Sequence, residues 1–146
     1  VRSLENVENV MAVELGFAPL LADDIIMLNL EMCLGEVPLI FSLPVEQVLS
    51  LGPRLIQDGA VAISIGAPRG ALTSNNGELV TGRIHGQSLL PRSLETVHSA
   101  AKLGIPIIGG GGVWNDKDAA DMLSAGAMAV QTDTSLWVPR ETERGL

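Results

Sequence analysis

The residues best suited to chemistry are glycines. Ile105–Val113 reads IPIIGGGGV, and some twenty residues later Ala127–Thr134 reads AMAVQTDT. Glycine at the end of a strand lets backbone N–H groups approach an anion closely, because no Cβ intervenes. In a (β/α)₈ barrel the loops after the seventh and eighth strands form the common phosphate site. The competing reading is a tight βα turn with no ligand, but four consecutive glycines carry a large entropic cost, which favours a phosphate. The run does not have the G-x-G-x-x-G spacing, and no acidic residue ends a following strand where a ribose would sit, which argues against a dinucleotide.

Other candidates divide between a chemical and a structural role. His85, in a Gly-rich stretch, could be an acid or a phosphate ligand; a solvated loop histidine is the plainer reading. His98 falls mid-helix and is expected at the surface or an interface. Cys33 lies on an apolar helix face and reads as inert packing. Arg69, Arg83 and Arg92 flank the mouth of the glycine site, where they could bind an anion or simply solvate the surface. Glu14, at the C-terminal end of a strand, is either a base or an internal ion-pair partner, and the structural role is favoured. Asp23 and Asp24 suit the start of a helix. Met27, Met32, Met122 and Met128 read as core filler.

The elements that must hold these residues follow from period. Val10–Phe17, Pro38–Leu43, Ala60–Gly66, Ile105–Gly109 and Ala127–Thr132 are short apolar runs and predict strands. Helices are predicted over Asp23–Leu34, over Glu46–Asp58 with a break or kink at Gly52-Pro53, over Ser93–Leu103, and over Asp116–Ala125 capped by Asn115 and closed by Gly126. Ala67–Gln87 is left as one long polar connection, a candidate functional loop. Residues 136–146 form a polar tail. Apolar strands alternating with helices mean a parallel sheet covered by helices, either doubly wound or a piece of a barrel. A full barrel uses roughly 31 residues per βα unit. The chain of 146 residues therefore holds between four and five units and cannot close a barrel alone.

Composition narrows the function further. Net charge is −8 and aromatics are 3%, so no basic groove or stacking platform for nucleic acid is expected. At 47% apolar and 18% charged the chain can build a core rather than remain disordered. The single cysteine excludes an internal disulfide and a cysteine metal cluster, and no metal site is expected. No apolar run is long enough to span a bilayer, and no signal peptide is evident. The expected setting is soluble, reducing and cytoplasmic. The chain starts at Val1 without Met, which suggests trimming or a fragment.

Three segments in order carry a family resemblance. Gly82–Leu94 (GRIHGQSLLPRSL) resembles the GGLSGPAxKPxAL segment of dihydroorotate dehydrogenases, Ile105–Val113 resembles their IPIIGMGGV, and Asp118–Thr134 resembles their DALEFLxAGAxAVQxGT run. The similarity is to the class 1 form, FMN-dependent barrels of pyrimidine synthesis, over the C-terminal two-thirds of the chain. It implies a partial (β/α)₈ barrel, a half-barrel of four to five βα units, with FMN as cofactor. Residue by residue, it places Gly86 on the flavin phosphate side, makes Gly111 and Gly112 backbone donors, and lets Thr134 close the clamp.

The departures bear on activity. Where the family has an acidic-Leu-Asn-x-Ser-Cys-Pro-Asn stretch and a mobile loop with the catalytic base, this chain reads Glu14-Leu15-Gly16-Phe17-Ala18-Pro19 and enters a helix. Ser42 stands in place of the flavin-contacting lysine, and Ala67-Pro68 in place of an Asn-Thr pair. Asp133 replaces the glycine before the final threonine. Two like charges at ~4 Å cost on the order of several kcal/mol at intermediate dielectric, so Asp133 weakens FMN binding. The expectation is an FMN-binding oxidoreductase-like half-barrel whose catalytic base segment is absent and whose catalytic residues are unassigned. The alternative is a non-catalytic half-barrel scaffold that binds phosphate or nothing. Open sheet edges predict a homodimer or a complementary half-barrel as partner.

Overall fold

The computed structural model describes residues 1–4, 6–17 and 21–137. Five parallel strands form one sheet in the order β1 (Val13–Gly16), β2 (Leu39–Pro44), β3 (Ala62–Gly66), β6 (Ile107–Gly109) and β7 (Ala129–Val130). Between them run α1 (Asp23–Cys33), α2 (Val48–Gln57), α3 (Leu90–Lys102) and α4 (Asp116–Ala125). Strands β4 (Arg69–Thr73) and β5 (Leu79–Arg83) form a separate antiparallel hairpin.

Strand order follows chain order, and each helix packs on the next, α1 on α2, α2 on α3, α3 on α4. A doubly wound sheet would reverse direction and split its helices between two faces. Sequential order with the helices in one layer is the geometry of a barrel wall, and the right-handed βαβ crossover keeps them on one side.

Alternation explains the layers. Along β2, Leu39, Phe41 and Leu43 are buried, whereas Ile40, Ser42 and Pro44 are half-buried. The register places Leu15, Phe41, Ile63 and Ile107 in one row across the sheet. That row meets Ile26, Leu30, Val48, Leu51, Leu55, Val97 and Met122 from the helices, forming a single core. The opposite face carries Glu14 and, in register with each other, Ser42 and Ser64; in a closed barrel it would face the lumen.

The structure corrects several expectations. Helix α2 runs unbroken through Pro53. Leu49, whose carbonyl proline cannot serve, and Pro53 both lie on its exposed side, so the missing bond costs little. The connection 67–87 holds the hairpin, turned by Asn75-Asn76-Gly77, with Gly77 at φ +85°. Ser74 holds that turn by bonding Asn76 and donating to the Glu78 carbonyl at 2.9 Å. Met32 and Met128 are exposed rather than core filler, while Met27 and Met122 are buried. Of the tail, residues 138–146 lie outside the described residues. Among those described, no helix is long and apolar enough to cross a membrane.

Candidate functional site

The C-terminal ends of parallel strands point at a common space, because every strand runs the same way. Here they do so around a cavity of about 560 Å³. Its wall takes Gly16 and Phe17 from the end of β1, Ser42 and Pro44 from β2, Gly66 and Ala67 from β3, Gly110–Gly112 after β6, and Gln131 after β7. The hairpin closes one side with Arg69, Arg83 and His85.

The glycine loop is shaped by packing as well as by access. Gly111 and Gly112 both have positive φ, +86° and +83°. A Cβ on Gly112 would stand 2.3 Å from the Leu90 nitrogen, and one on Gly110 would stand 2.9 Å from the Ile65 carbonyl. Their side-chain directions are filled by the protein, so glycine is required there whether or not a ligand binds. Gly86, at φ +139°, has open space where a Cβ would go. Loop β6–α4 is then fixed by α4. Asn115 accepts from the Asp118 N–H at 3.0 Å, and the Asp118 carboxylate accepts from the N–H groups of Asn115 and Trp114. This reciprocal capping box anchors the segment that follows the glycines.

Of the sequence-predicted site residues, Gly86, Gly111 and Gly112 meet in this cavity. Thr134 starts a short 3₁₀ turn, Thr134–Leu136. Asp133 does line the cavity, and His85 Nδ1 sits 3.3 Å from its carboxylate. His85 is exposed and has the Asp133 carboxylate as a neighbour, a contact that becomes an ion pair only when the imidazole is protonated. His98 is exposed on α3, and Cys33 packs partly against the core.

Glu14 lines the same cavity. Ser64, fully buried on β3, donates its hydroxyl to Glu14 at 2.6 Å across β2. Phe17 is drawn into the core by stacking on Phe41 with ring centroids 5.6 Å apart, and its carbonyl accepts from Arg69 at 3.0 Å. Sequence reasoning missed three partnerships: Ser64 with Glu14, His85 with Asp133, and the pairing of Arg69 with Arg83. The last was open to detection, because Asn76-Gly77 between two alternating apolar runs is a hairpin signal. Among the described residues no cluster of three metal-ligating side chains is present.

A single-layered parallel wall with a cavity at its carboxyl ends defines part of a (β/α)₈ barrel. Residues 62–141 match the family model described as dihydroorotate dehydrogenase, and the chain belongs to that family. It is 40% identical over 80 residues to the dihydroorotate dehydrogenase B (NAD(+)) catalytic subunit of Pyrococcus furiosus, covering 54% of this chain and 25% of that protein. Against dihydroorotate dehydrogenase A (fumarate) of Lacticaseibacillus paracasei it is 46% identical over 52 residues, 35% of this chain and 18% of the relative. The crystal structure of ligand-free DHODH from Eimeria tenella superposes with TM-score 0.55 at 20% identity, covering 69% of this chain and 31% of that one. The chain therefore spans about a quarter or less of the curated relatives it matches and about a third of the solved structure.

Proposed function

We propose that this chain is the cofactor-phosphate half of a dihydroorotate dehydrogenase-type barrel, and that its cavity binds FMN through the backbone of Gly86, Gly111 and Gly112. The observation that carries the reading is the convergence of those glycines at the carboxyl ends of five parallel strands, in a space of about 560 Å³. Pockets of a few hundred Å³ or more accommodate cofactor-sized ligands. FMN, when bound, supplies hydride transfer; the protein supplies binding and orientation. Asp133 opposes a phosphate in its neighbourhood, and His85 at 3.3 Å partly offsets it when protonated.

The same reading holds that this chain alone does not oxidise dihydroorotate. General base catalysis contributes ~10²–10⁴-fold. The segment at Glu14–Pro19 lacks the family's asparagine and its base-bearing loop, and Glu14 is engaged by Ser64. The alternative of a non-catalytic scaffold is favoured by the same engagement of Glu14, and the two differ in flavin binding. Titrating FMN and following its fluorescence and visible spectrum tests both: a saturable change supports the flavin reading, and none leaves the scaffold. Asp133→Gly is expected to tighten FMN, by removal of a like charge. Weaker or unchanged affinity would move the phosphate away from the glycine loop. A homodimer, or a complementary half-barrel, would cover the open edges at β1 and β7; sedimentation tests this, with a stable monomer as the contrary result.

A further inference from the structure

We propose that Arg69 and Arg83 form an oxyanion clamp on the hairpin wall of the cavity, separate from the glycine loop; this rests on the cavity being the ligand site. The two residues are directly opposite one another in the β4–β5 ladder, so their side chains leave the same face of the hairpin. Both line the cavity. Like charges placed directly opposite destabilise a strand pair unless something of opposite sign stands between them.

No described acid fills that role. The acids in the same wall are held elsewhere: Glu14 by the Ser64 hydroxyl at 2.6 Å, Glu46 by Arg92 at 3.3 Å, and Asp133 by His85 at 3.3 Å. Arg69 is already oriented, since it donates to the Phe17 carbonyl at 3.0 Å, and its Nε is buried with no described partner. Arg83 is exposed and lies in ion-pair contact with no described carboxylate. A chain of net charge −8 thus gathers two guanidinium groups at one wall. Guanidinium forks match the geometry of carboxylate and phosphate oxygens. The ligand class is a small molecule that presents an oxyanion to the hairpin while its body fills the cavity.

The test uses the 146-residue chain with Arg69→Gln, Arg83→Gln and the double variant, at ionic strength held constant with potassium chloride. Succinate and inorganic phosphate serve as probes, with binding read by calorimetry and by the rise in melting temperature. FMN affinity is measured on the same samples. The double variant is expected to lose about ten-fold or more in succinate affinity. Without any anion, Arg83→Gln is expected to melt no lower than the unaltered chain, because it relieves a like-charge pair. If phosphate binding falls together with succinate, the clamp takes either oxyanion. If only succinate binding falls, the clamp is a carboxylate site. Arginine-dependent succinate binding in a chain that does not bind FMN keeps the clamp and removes the flavin reading. Equal succinate binding by the double variant, or no binding of either probe by the unaltered chain, overturns the clamp.

Discussion

Helices α1 and α4 are nearly the same length and cover the same sheet, but their ends are built differently. Helix α4 begins with a reciprocal capping box from Asn115 and Asp118 and closes on Gly126 at φ +112°. Helix α1 begins at Ala22, which offers no side-chain cap, and ends at Leu34 without a left-handed residue. Asp23 and Asp24 in its first turn are favourable to the helix dipole. Helix α4 follows the glycine loop and lies in the stretch that matches the family model; α1 lies outside it. Packing of Ile26, Met27 and Leu30 holds α1, with a bond from the Gln47 side chain to Asp23 at 3.0 Å, whereas α4 also fixes the loop before it. The contrast teaches that apolar alternation suffices to keep a βα unit in the sheet. Precise ends are retained where a loop must be held in one shape.

The first way to break this contrast is to attack what both helices share. Phe41 is fully buried in β2, stacks on Phe17, and stands in register with Leu15 and Ile63. Phe41→Ala is expected to cost about 3–5 kcal/mol. Urea unfolding followed by circular dichroism and by tryptophan fluorescence checks it. The two probes should give coincident transitions, because the core is one cluster. Separate transitions would mean that the α1 and α4 halves are independent units.

The second test compares two glycines of similar φ, Gly112 at +83° and Gly77 at +85°. At Gly112 a Cβ meets the Leu90 nitrogen at 2.3 Å; at Gly77 it meets nothing within 4 Å. Gly77→Ala is expected to cost about 1–2 kcal/mol, for the left-handed backbone alone. Gly112→Ala adds overpacking and is expected to reach about 2–4 kcal/mol while displacing the loop. Equal costs in denaturant unfolding would mean that the loop yields freely and is not held as a cradle.

The sheet, four helices and the Asn115 cap were all legible in the sequence, because apolar period and capping residues are local signals. The hairpin was carried by an equally local signal, Asn76-Gly77, obscured by the polar composition around it. Partnerships such as Ser64 with Glu14 were not legible. They lie across β2 and depend on strand order and register, which no single segment encodes. Pro53 misled for the complementary reason: its effect depends on whether the carbonyl of Leu49 lies on the exposed side of α2, and that is known only once the helix is docked.

A third test removes the α4 box. Asp118 is buried and accepts two backbone N–H groups, from Trp114 at 2.9 Å and Asn115 at 3.2 Å. Asp118→Ala leaves both part-buried donors without their partner, and is expected to cost about 1–3 kcal/mol. Amide exchange at Trp114 and Asn115 is expected to quicken more than exchange in β2. An unchanged rate there would separate the cap from the loop it is said to hold.

The smallest effect runs in the opposite direction and asks whether α1 can be given what α4 has. Ala22 has φ −69° and ψ 148°, the extended geometry that a capping residue needs, so Ala22→Ser requires no backbone change. A serine hydroxyl there can accept from the N–H of Asp24 or Ile25. The second of these is partly served already, since the Ile25 N–H meets its neighbour Asp24 Oδ1 at 2.9 Å and the Ala22 carbonyl at 3.1 Å. Competition for that donor should hold the gain near the low end of the capping range, about 0.5 kcal/mol. Denaturant midpoints for the two chains, at equal slope, measure it. A gain shows that α1 lacks a cap for want of a side chain and that its end is otherwise ready for one. A loss would mean that the Asp24 contact already does this work, and that the difference between the two helices lies in their loops rather than in their caps.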